Sequence, residues 1–454
     1  MKKIFFYCAL FTLPFGKDQG GALQAQQTFF PLGTGLQNIV RNLYADTSTN
    51  ILYACGNFIH AGNLDVNTIA QWNGTAWDSL GSGCNWGSVW DITKYNGEII
   101  AGGTFNQIGG VTANGLAKWN GTNWLPFADL DNNIGSGIIS LMVNNNDLYV
   151  SGWFDSIAGI PAKGIAKFDG SAWSALSVLD TTSAAAGGFS VASPVFYNGE
   201  LYVIGNFWNA SNGLKQIAKF DGTSWQPVGN GFSIGAITNV LAVYNNELFI
   251  GGYFSTPADP GNMLVKWNGT TYVQLPAVPD DQVLSMKVIG GKLYVGGNYS
   301  NAGGVSNTAF VSRWDGSQWE SLGGVFNNGV NCFAEMNGDI YIGGGFYTVD
   351  GDSVHRIVRY TGASLGINDA STSLNMTGNV FPNPSNGEFT IKIPEEFNDA
   401  FTVCIYDVLG QVVFKDNFTS EKNIPIGISD KPKGIYFLRI NSGNQQVTQK
   451  IIIE

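Results

Sequence analysis

The chain has 454 residues, enough for two or three ordinary domains, or for one large repeat body with a small appended domain. Glycine is frequent at 60 residues, aromatics reach 13% and charged residues only 13%, which excludes disorder for want of apolar material and suits an all-β protein rich in tight turns. The formal net charge of -11 excludes recognition of nucleic acid or an anionic membrane surface by bulk electrostatics, and no cluster of Lys and Arg reverses it locally.

The N-terminus reads as a signal peptide over residues 1–25. Lys2 and Lys3 form a short basic region, and Ile4 to Phe15 form an apolar stretch of 12 residues, too short to span a bilayer. Cleavage is expected near Ala25, and no later segment is long and apolar enough to cross a membrane. Cys8 would leave with this peptide. Cys55, Cys84, Cys332 and Cys404 stay, with none of the close spacings of a zinc knuckle or redox dithiol. Export permits disulfides, but the spacing demands none.

From residue 28 to 364 two phrases recur seven times. The first is a short strand ending in Gly, any residue, aromatic: LYACGNF at Leu52, IIAGGTF at Ile99, LYVSGWF at Leu148, LYVIGNF at Leu201, LFIGGYF at Leu248, LYVGGNY at Leu293 and IYIGGGF at Ile340. The second is an aromatic, Asn or Asp, Gly, Thr or Ser, any residue, aromatic, as in WNGTAW at Trp72 and FDGSAW at Phe168, degenerating to YTG at Tyr360. Its glycines, Gly74, Gly121, Gly170, Gly222, Gly269, Gly316 and Gly362, are spaced by 47, 49, 52, 47, 47 and 46 residues. That period fits one four-stranded propeller blade. In the sixth repeat, strand A is predicted at 283–288, strand B at 293–299 and strand C at 309–314, with strand D carrying Trp319 and Leu322. Asn-Gly and Asp-Gly suit the two-residue turns, because both central positions favour positive φ. The recurring Gly near the end of strand B, such as Gly297, implies a close backbone approach or a bulge.

The seventh repeat stops soon after Tyr360 and lacks the outer-strand phrase seen as WDSLGSG at Trp77. That phrase occurs instead before the first repeat, as FPLGTG from Phe30. Residues near Phe29 to Gly35 are therefore predicted to supply the outer strand of the last blade, giving an all-β, seven-bladed propeller without a free edge. The repeats resemble Kelch-like and related secreted propellers, although the double glycine occurs in four repeats only. Asp169 and Gly170 are adjacent, which departs from the Asp-box of sialidase-like propellers.

Residues 365–378 are small and polar and read as a linker. Beyond them come VFPNPSNGEFTI from Val380, IYDVLGQVV from Ile405, GIYFLRI from Gly434 and QKIIIE at the end. In this order these phrases, over residues 379–454, resemble the type A sorting domain of the type IX secretion system. The resemblance implies a small immunoglobulin-like β-sandwich, recognition by the secretion machinery and delivery to the cell surface or medium, often with cleavage and attachment to surface lipopolysaccharide. Its motif positions here are Pro382, Asn383, Pro384, Gly387, Asp407, Gly410, Gly434, Tyr436 and Lys450.

The A–B and C–D connections of the repeats are short and nearly identical, whereas the B–C and D–A connections are longer and differ between repeats. In a four-stranded blade the two long sets share one face, and variable loops on a rigid scaffold are where binding concentrates. On these loops Trp86, Trp153, Trp208 and Tyr253 are aromatics beyond the repeat template, and Asp129, Asp131, Asp180, Asp280 and Asp281 add carboxylates. Aromatics with carboxylates can hold a sugar by stacking and hydrogen bonding; packing between blades is the bland alternative. Catalysis finds little support. His60 and His355 are the two histidines, both in B–C loops that ring closure makes neighbours, and they do not make a metal site by themselves. DLDNN from Asp129 resembles the start of a calcium loop, but Ile134 stands where the tight-turn Gly belongs. NGT at Asn73, Asn120 and Asn268 satisfies the N-glycosylation pattern, but the turn explains these sites and the Asp versions alike. The expectation is a monomeric exported binding protein for a glycan or protein, without cofactor or metal. A secreted glycoside hydrolase or lyase using loop carboxylates is the second reading, since acids distant in sequence can converge.

Overall fold

The computed structural model describes residues 29–131, 136–177, 179, 189–209, 211–233, 235–254, 263–361, 380–393, 401–406, 412–419, 421–442 and 445–454. The chain divides into two compact units, Met1–Ser364 and Leu365–Glu454. Among the described residues there is no helix long and apolar enough to cross a membrane, and the structure is all-β.

In the first unit the described strands form seven four-stranded antiparallel sheets, with short hairpins on the connections. In each of the first six sheets the strands follow chain order A to D, as in sheet 1 (Val40–Asp46, Ile51–Gly56, Ile69–Trp72, Trp77–Ser79). Strand A of sheets 2 to 6 begins at Val89, Gly137, Ala192, Ile237 and Val283. Sheet 7 takes A, B and C from Val330–Met336, Asp339–Gly344 and Ile357–Tyr360, and its outermost strand is Phe29–Pro31, with Phe29 opposite Tyr360. The A strands of neighbouring sheets pack side by side, sheet 7 against sheet 1 included. Each interface between sheets has its own apolar core, such as Cys55, Ile69, Ile92 and Ala101 between sheets 1 and 2.

The repeated phrases perform definite tasks. In the C–D turn the Asn or Asp side chain accepts backbone N–H groups two and three residues ahead, as Asn73 does from Thr75 (3.0 Å) and Ala76 (2.9 Å). The Asp169 and Asp315 turns repeat this, so the NGT sites are explained as Asx turns. The flanking aromatics tilt against each other, with Trp72 and Trp77 centroids 5.3 Å apart. The second aromatic also needs a polar end. Trp77 Nε1 donates to the Leu32 carbonyl (2.9 Å), Trp124 Nε1 to Leu80 (2.7 Å), and Tyr272 Oη to Val228 (2.7 Å), each reaching the preceding sheet's outgoing loop.

Every A–B pair has a register shift near the start of strand A, between Val40 and Asn42 in sheet 1 and between Val89 and Asp91 in sheet 2. The template Gly of strand B sits opposite. A Cβ at Gly56, Gly103, Gly152, Gly205, Gly252, Gly297 or Gly344 would overlap a carbonyl oxygen of the incoming A strand, which is the close approach expected for Gly297. At the shift or just after it a polar side chain reaches the next sheet, and these links run round the whole ring. Asn42 Nδ2 donates to Asp91 Oδ1, Leu141 N to Asp91 Oδ2 (2.6 Å) and Ser193 N to Ser140 Oγ (3.0 Å). Leu241 N donates to Ser193 Oγ (2.8 Å), and Asn239 Nδ2 to the Val283 carbonyl (2.8 Å). Ser285 Oγ donates to Val330 (3.5 Å), and Asn331 Nδ2 to Val40 (2.9 Å).

Asp91 is the charged member of this belt. Burial pushes its carboxyl up to about 7, although Leu141 N, Ile92 N and Asn42 all donate to it. Its folded-state value lies above the ordinary 3.8, so its contribution to stability is fully present below that value and is lost as pH rises to 7. Chemical denaturation at pH 4 and pH 7.5 should show the wild type losing up to about 4 kcal/mol from this group, and Asp91→Asn lacking that slope. Parallel pH profiles for the two proteins would refute the assignment.

Sheet 6 departs in detail from the sequence expectation. Strand B is Lys292–Gly297, C is Val311–Trp314 and D is Trp319–Glu320. Phe310 has φ 66°, outside the extended region, so strand C begins after it rather than at Ala309.

The second unit has a three-stranded sheet (Val380–Phe381, Glu388–Lys392, Asn423–Gly427) and a four-stranded sheet (Val412–Phe418, Phe401–Tyr406, Gly434–Ser442, Gln445–Ile453). They share one core that includes Phe389, Ile391, Val403, Ile405, Leu438 and Ile451. The motif residues tie its ends together. Pro382 and Pro384 follow cis peptide bonds, and Asn383 Oδ1 accepts from Ile452 N (2.8 Å). Gly387 has φ 99° and passes so close to Ser429 that a side chain would clash. Gly434 opens its strand at φ 154°, and buried Tyr436 donates its hydroxyl to Pro432 O (2.6 Å). Lys450 lies in the last strand. Asp407 and Gly410, like residues 1–25 and the linker 365–378, fall outside the described residues.

Candidate functional site

Antiparallel order places the A–B and C–D turns of each sheet on one rim and the B–C and D–A connections on the other. The first rim is made of tight turns such as Asn96-Gly97, with φ 48° and 84°. The second rim is built up by small hairpins inserted in the B–C connection, such as His60–Ala61 with Leu64–Asp65 and Gln107–Ile108 with Val111–Thr112. The D–A connection runs beside the following hairpin and is pinned to it. Cys84, Leu130, Pro279 and Phe326 each make an isolated bridge there.

Apolar exposure is uneven between the rims. Trp86, Ile59, Ile237, Tyr253, Val325 and Tyr347 are exposed, and all lie on the long-loop rim or where strands meet it. Trp86 is the extreme, at 69% of its full exposure.

The sequence-selected residues divide into several groups. Trp86, at the D–A connection into sheet 2, is open to solvent. Tyr253 ends strand B of sheet 5 and is paired across to Ile237. Trp153, the corresponding residue of sheet 3, packs edge-on against Trp90 (5.2 Å between centroids). Trp208 lies under the Lys215 ammonium (5.4 Å). The carboxylates behave differently. Asp131 accepts from Asp155 N (3.1 Å) and Ser136 Oγ (3.3 Å). Asp280 accepts from Ser300 N (2.8 Å), Ser300 Oγ (2.5 Å) and Asn301 N (3.0 Å). Burial opposes ionisation of Asp280, but these donors hold its carboxyl below the ordinary carboxylate range. Both acids brace a D–A connection to the next hairpin, as Asn327 does to Tyr347 N and Thr348 N. Asp281 accepts from Gln282 N (2.6 Å) and is exposed, as is Asp129. Asp180 falls outside the described residues.

Sequence reasoning missed Arg41 and Trp90. They occupy the register-shift position of sheets 1 and 2, where sheets 3, 6 and 7 carry Ile139, Leu284 and Asn331. The Arg41 guanidinium lies 3.7 Å from the Trp90 ring centroid, and its Nε donates to Asn57 Oδ1 (2.6 Å). The available signal is that Arg and Trp stand where other repeats carry shorter side chains, Ile139, Asn239, Leu284 and Asn331.

At the seam of sheets 7 and 1 a cavity of about 430 Å³ is lined by residues including Thr34, Gln37, Asn63, His60 and His355. Leu36 N donates to the His355 carbonyl (2.9 Å) and Gln37 N to the His60 carbonyl (3.2 Å), so the N-terminal segment brings the two histidines to one place. His60 Nδ1 lies 2.7 Å from Asp65 Oδ1, and the His355 ring meets the Tyr347 ring edge-on (4.5 Å). Among the described residues no group of three or more His, Cys, Asp or Glu is arranged to hold a metal ion. Cys55, Cys84, Cys332 and Cys404 are free and buried.

Residues 379–454 match the secretion system C-terminal sorting domain family, and residues 96–120 match a β-propeller domain of unknown function. A search of curated proteins gives no match to the chain. The chain is thus a β-propeller protein with a type IX sorting tail, which engages the secretion machinery and directs it to the extracellular space or cell surface.

Proposed function

We propose that the seven sheets are the blades of a Kelch-like, seven-bladed propeller closed by the N-terminal strand, spanning residues 28–364 after a signal peptide at 1–25. Beyond a linker at 365–378, the tail at 379–454 is an immunoglobulin-like sandwich. In this reading the propeller is a monomeric binding module for an extracellular glycan or protein, and it binds on the long-loop rim. The observation that carries it is the gathering of exposed aromatic and branched side chains there, headed by Trp86 and Tyr253. The opposite rim is built of uniform turns whose polar groups are satisfied internally. The occupied carboxylates of Asp131 and Asp280 favour binding over acid–base hydrolysis.

A panel of extracellular polysaccharides and surface proteins, scored for both binding and turnover, tests this. The expected result is binding without turnover, weakened at least about tenfold by the double change Trp86→Ala and Tyr253→Ala with no shift in unfolding midpoint. Turnover abolished by Asp129→Asn or Asp281→Asn would replace this reading with that of a hydrolase or lyase.

A further inference from the structure

Positive charge is distributed in two ways over the propeller. Template lysines on strand C are ion-paired to the acid that opens strand B of the same sheet. Examples are Lys118 with Glu98 (2.8 Å), Lys167 with Asp147 (3.0 Å) and Lys266 with Glu247 (2.9 Å). Arg41, Lys163, Lys215 and Arg356 differ. Each lies on or beside the long-loop rim, each stands over an aromatic ring, and none has a carboxylate partner among the described residues. In a chain of net charge -11, with acids available throughout, these four cations lack a counter-ion among the described residues.

Arg41 carries the point furthest. Its guanidinium is partly buried, and that burial lowers its pKa. A cation so placed normally acquires a carboxylate partner. Here its face is covered by Trp90 and one of its five N–H groups is used by Asn57 Oδ1. The terminal N–H groups form a planar fork suited to a carboxylate. Trp153 stands edge-on to Trp90 (5.2 Å between centroids), which adds a second indole to the cluster. A guanidinium fork next to aromatic surface matches a sugar ring bearing a carboxylate: the ring's C–H face packs on indole and the carboxylate takes the fork.

We infer that the Arg41–Trp90–Trp153 cluster is a subsite for a uronate residue, and that the propeller's ligand is an acidic, uronate-bearing glycan, with Lys163, Lys215 and Arg356 supplying further positive charge along the same rim. This deepens the reading of the long-loop rim as a binding face and rests on it. The test uses the full mature protein and three probes: a linear oligouronate, the same oligomer with its carboxyl groups reduced to alcohols, and poly-glutamate. The oligouronate should bind at least about tenfold more tightly than its reduced form, and its affinity should fall as salt is raised. Arg41→Gln should remove most of that preference, bringing the affinity of the oligouronate down to that of its reduced form. The comparison of the two oligomers on the wild type stands even if the variant fails to fold. Equal binding of the oligouronate and its reduced form would overturn the uronate subsite while leaving a neutral-glycan face intact. Tighter binding of poly-glutamate than of the oligouronate would overturn it in favour of an acidic protein partner. No binding of any glycan would count against the underlying glycan reading.

Discussion

A mature chain lacking Phe29–Gly35 is expected to unfold at a much lower denaturant concentration than the intact protein and to self-associate. This segment makes the outer strand of sheet 7, paired from Phe29 opposite Tyr360 to Pro31 opposite Val358. Phe29 stacks on Tyr360 (4.9 Å) and meets Phe326 edge-on (5.5 Å), while Leu32 is 2% exposed. Burial of each such side chain contributes about 1.5–3 kcal/mol. The Leu32 carbonyl also receives the buried Trp77 indole N–H, and Gly62 N donates to the Gly35 carbonyl (2.9 Å). A buried donor left unpaired costs a further 1–3 kcal/mol, roughly. Together the loss is on the order of 5 kcal/mol or more, a large share of the margin typical of a folded protein. The uncovered edge of Ile357–Tyr360 would present free strand groups to a second molecule. Equilibrium urea unfolding with light scattering measures both effects. An unchanged midpoint would mean that the strand is dispensable to the ring.

The second large effect separates two adjacent glycines. Gly344 faces the Gly329 carbonyl oxygen so closely that an added Cβ would overlap it. At Gly345 the nearest atom to an added Cβ is Asn328 Oδ1, at 3.5 Å. Neither residue has a left-handed backbone, so strain in φ does not enter. Gly344→Ala must move strand A of sheet 7 or its register shift, at a cost of about 2–4 kcal/mol. Gly345→Ala should lie within about 1 kcal/mol of the wild type, because ordinary contact is available and the alanine restricts the unfolded chain. Urea midpoints for the two variants give the comparison. Equal effects would show that the template glycine is not kept by backbone approach.

What the sequence disclosed follows from which interactions are local. The Asx turns depend on residues two and three positions apart, so Asn73, Asp169 and Asp315 announce themselves in any one repeat. The N-terminal strand was legible because FPLGTG duplicates a phrase missing at the other end. The polar belt was not, since Asn42 and Asp91, 49 residues apart, meet only when neighbouring sheets pack. The same holds for Arg41 over Trp90. Their variable loops mark Asp131 and Asp280 as candidate ligand acids. Their carboxylates are instead engaged by amides and hydroxyls of the next hairpin, which lies about 20 residues further along the chain. A small clue was present: each follows an apolar residue and precedes a strand A, as Asn327 does.

Oxidative footprinting of aromatic side chains, with and without the bound polymer, tests the binding face most directly. Trp86, Tyr253 and Tyr347 should lose labelling on binding, while Phe30, exposed on the outermost strand of sheet 7, should keep it. Protection of Phe30 with Trp86 and Tyr253 still labelled would place recognition on the outer wall of the ring and contradict a long-loop binding face.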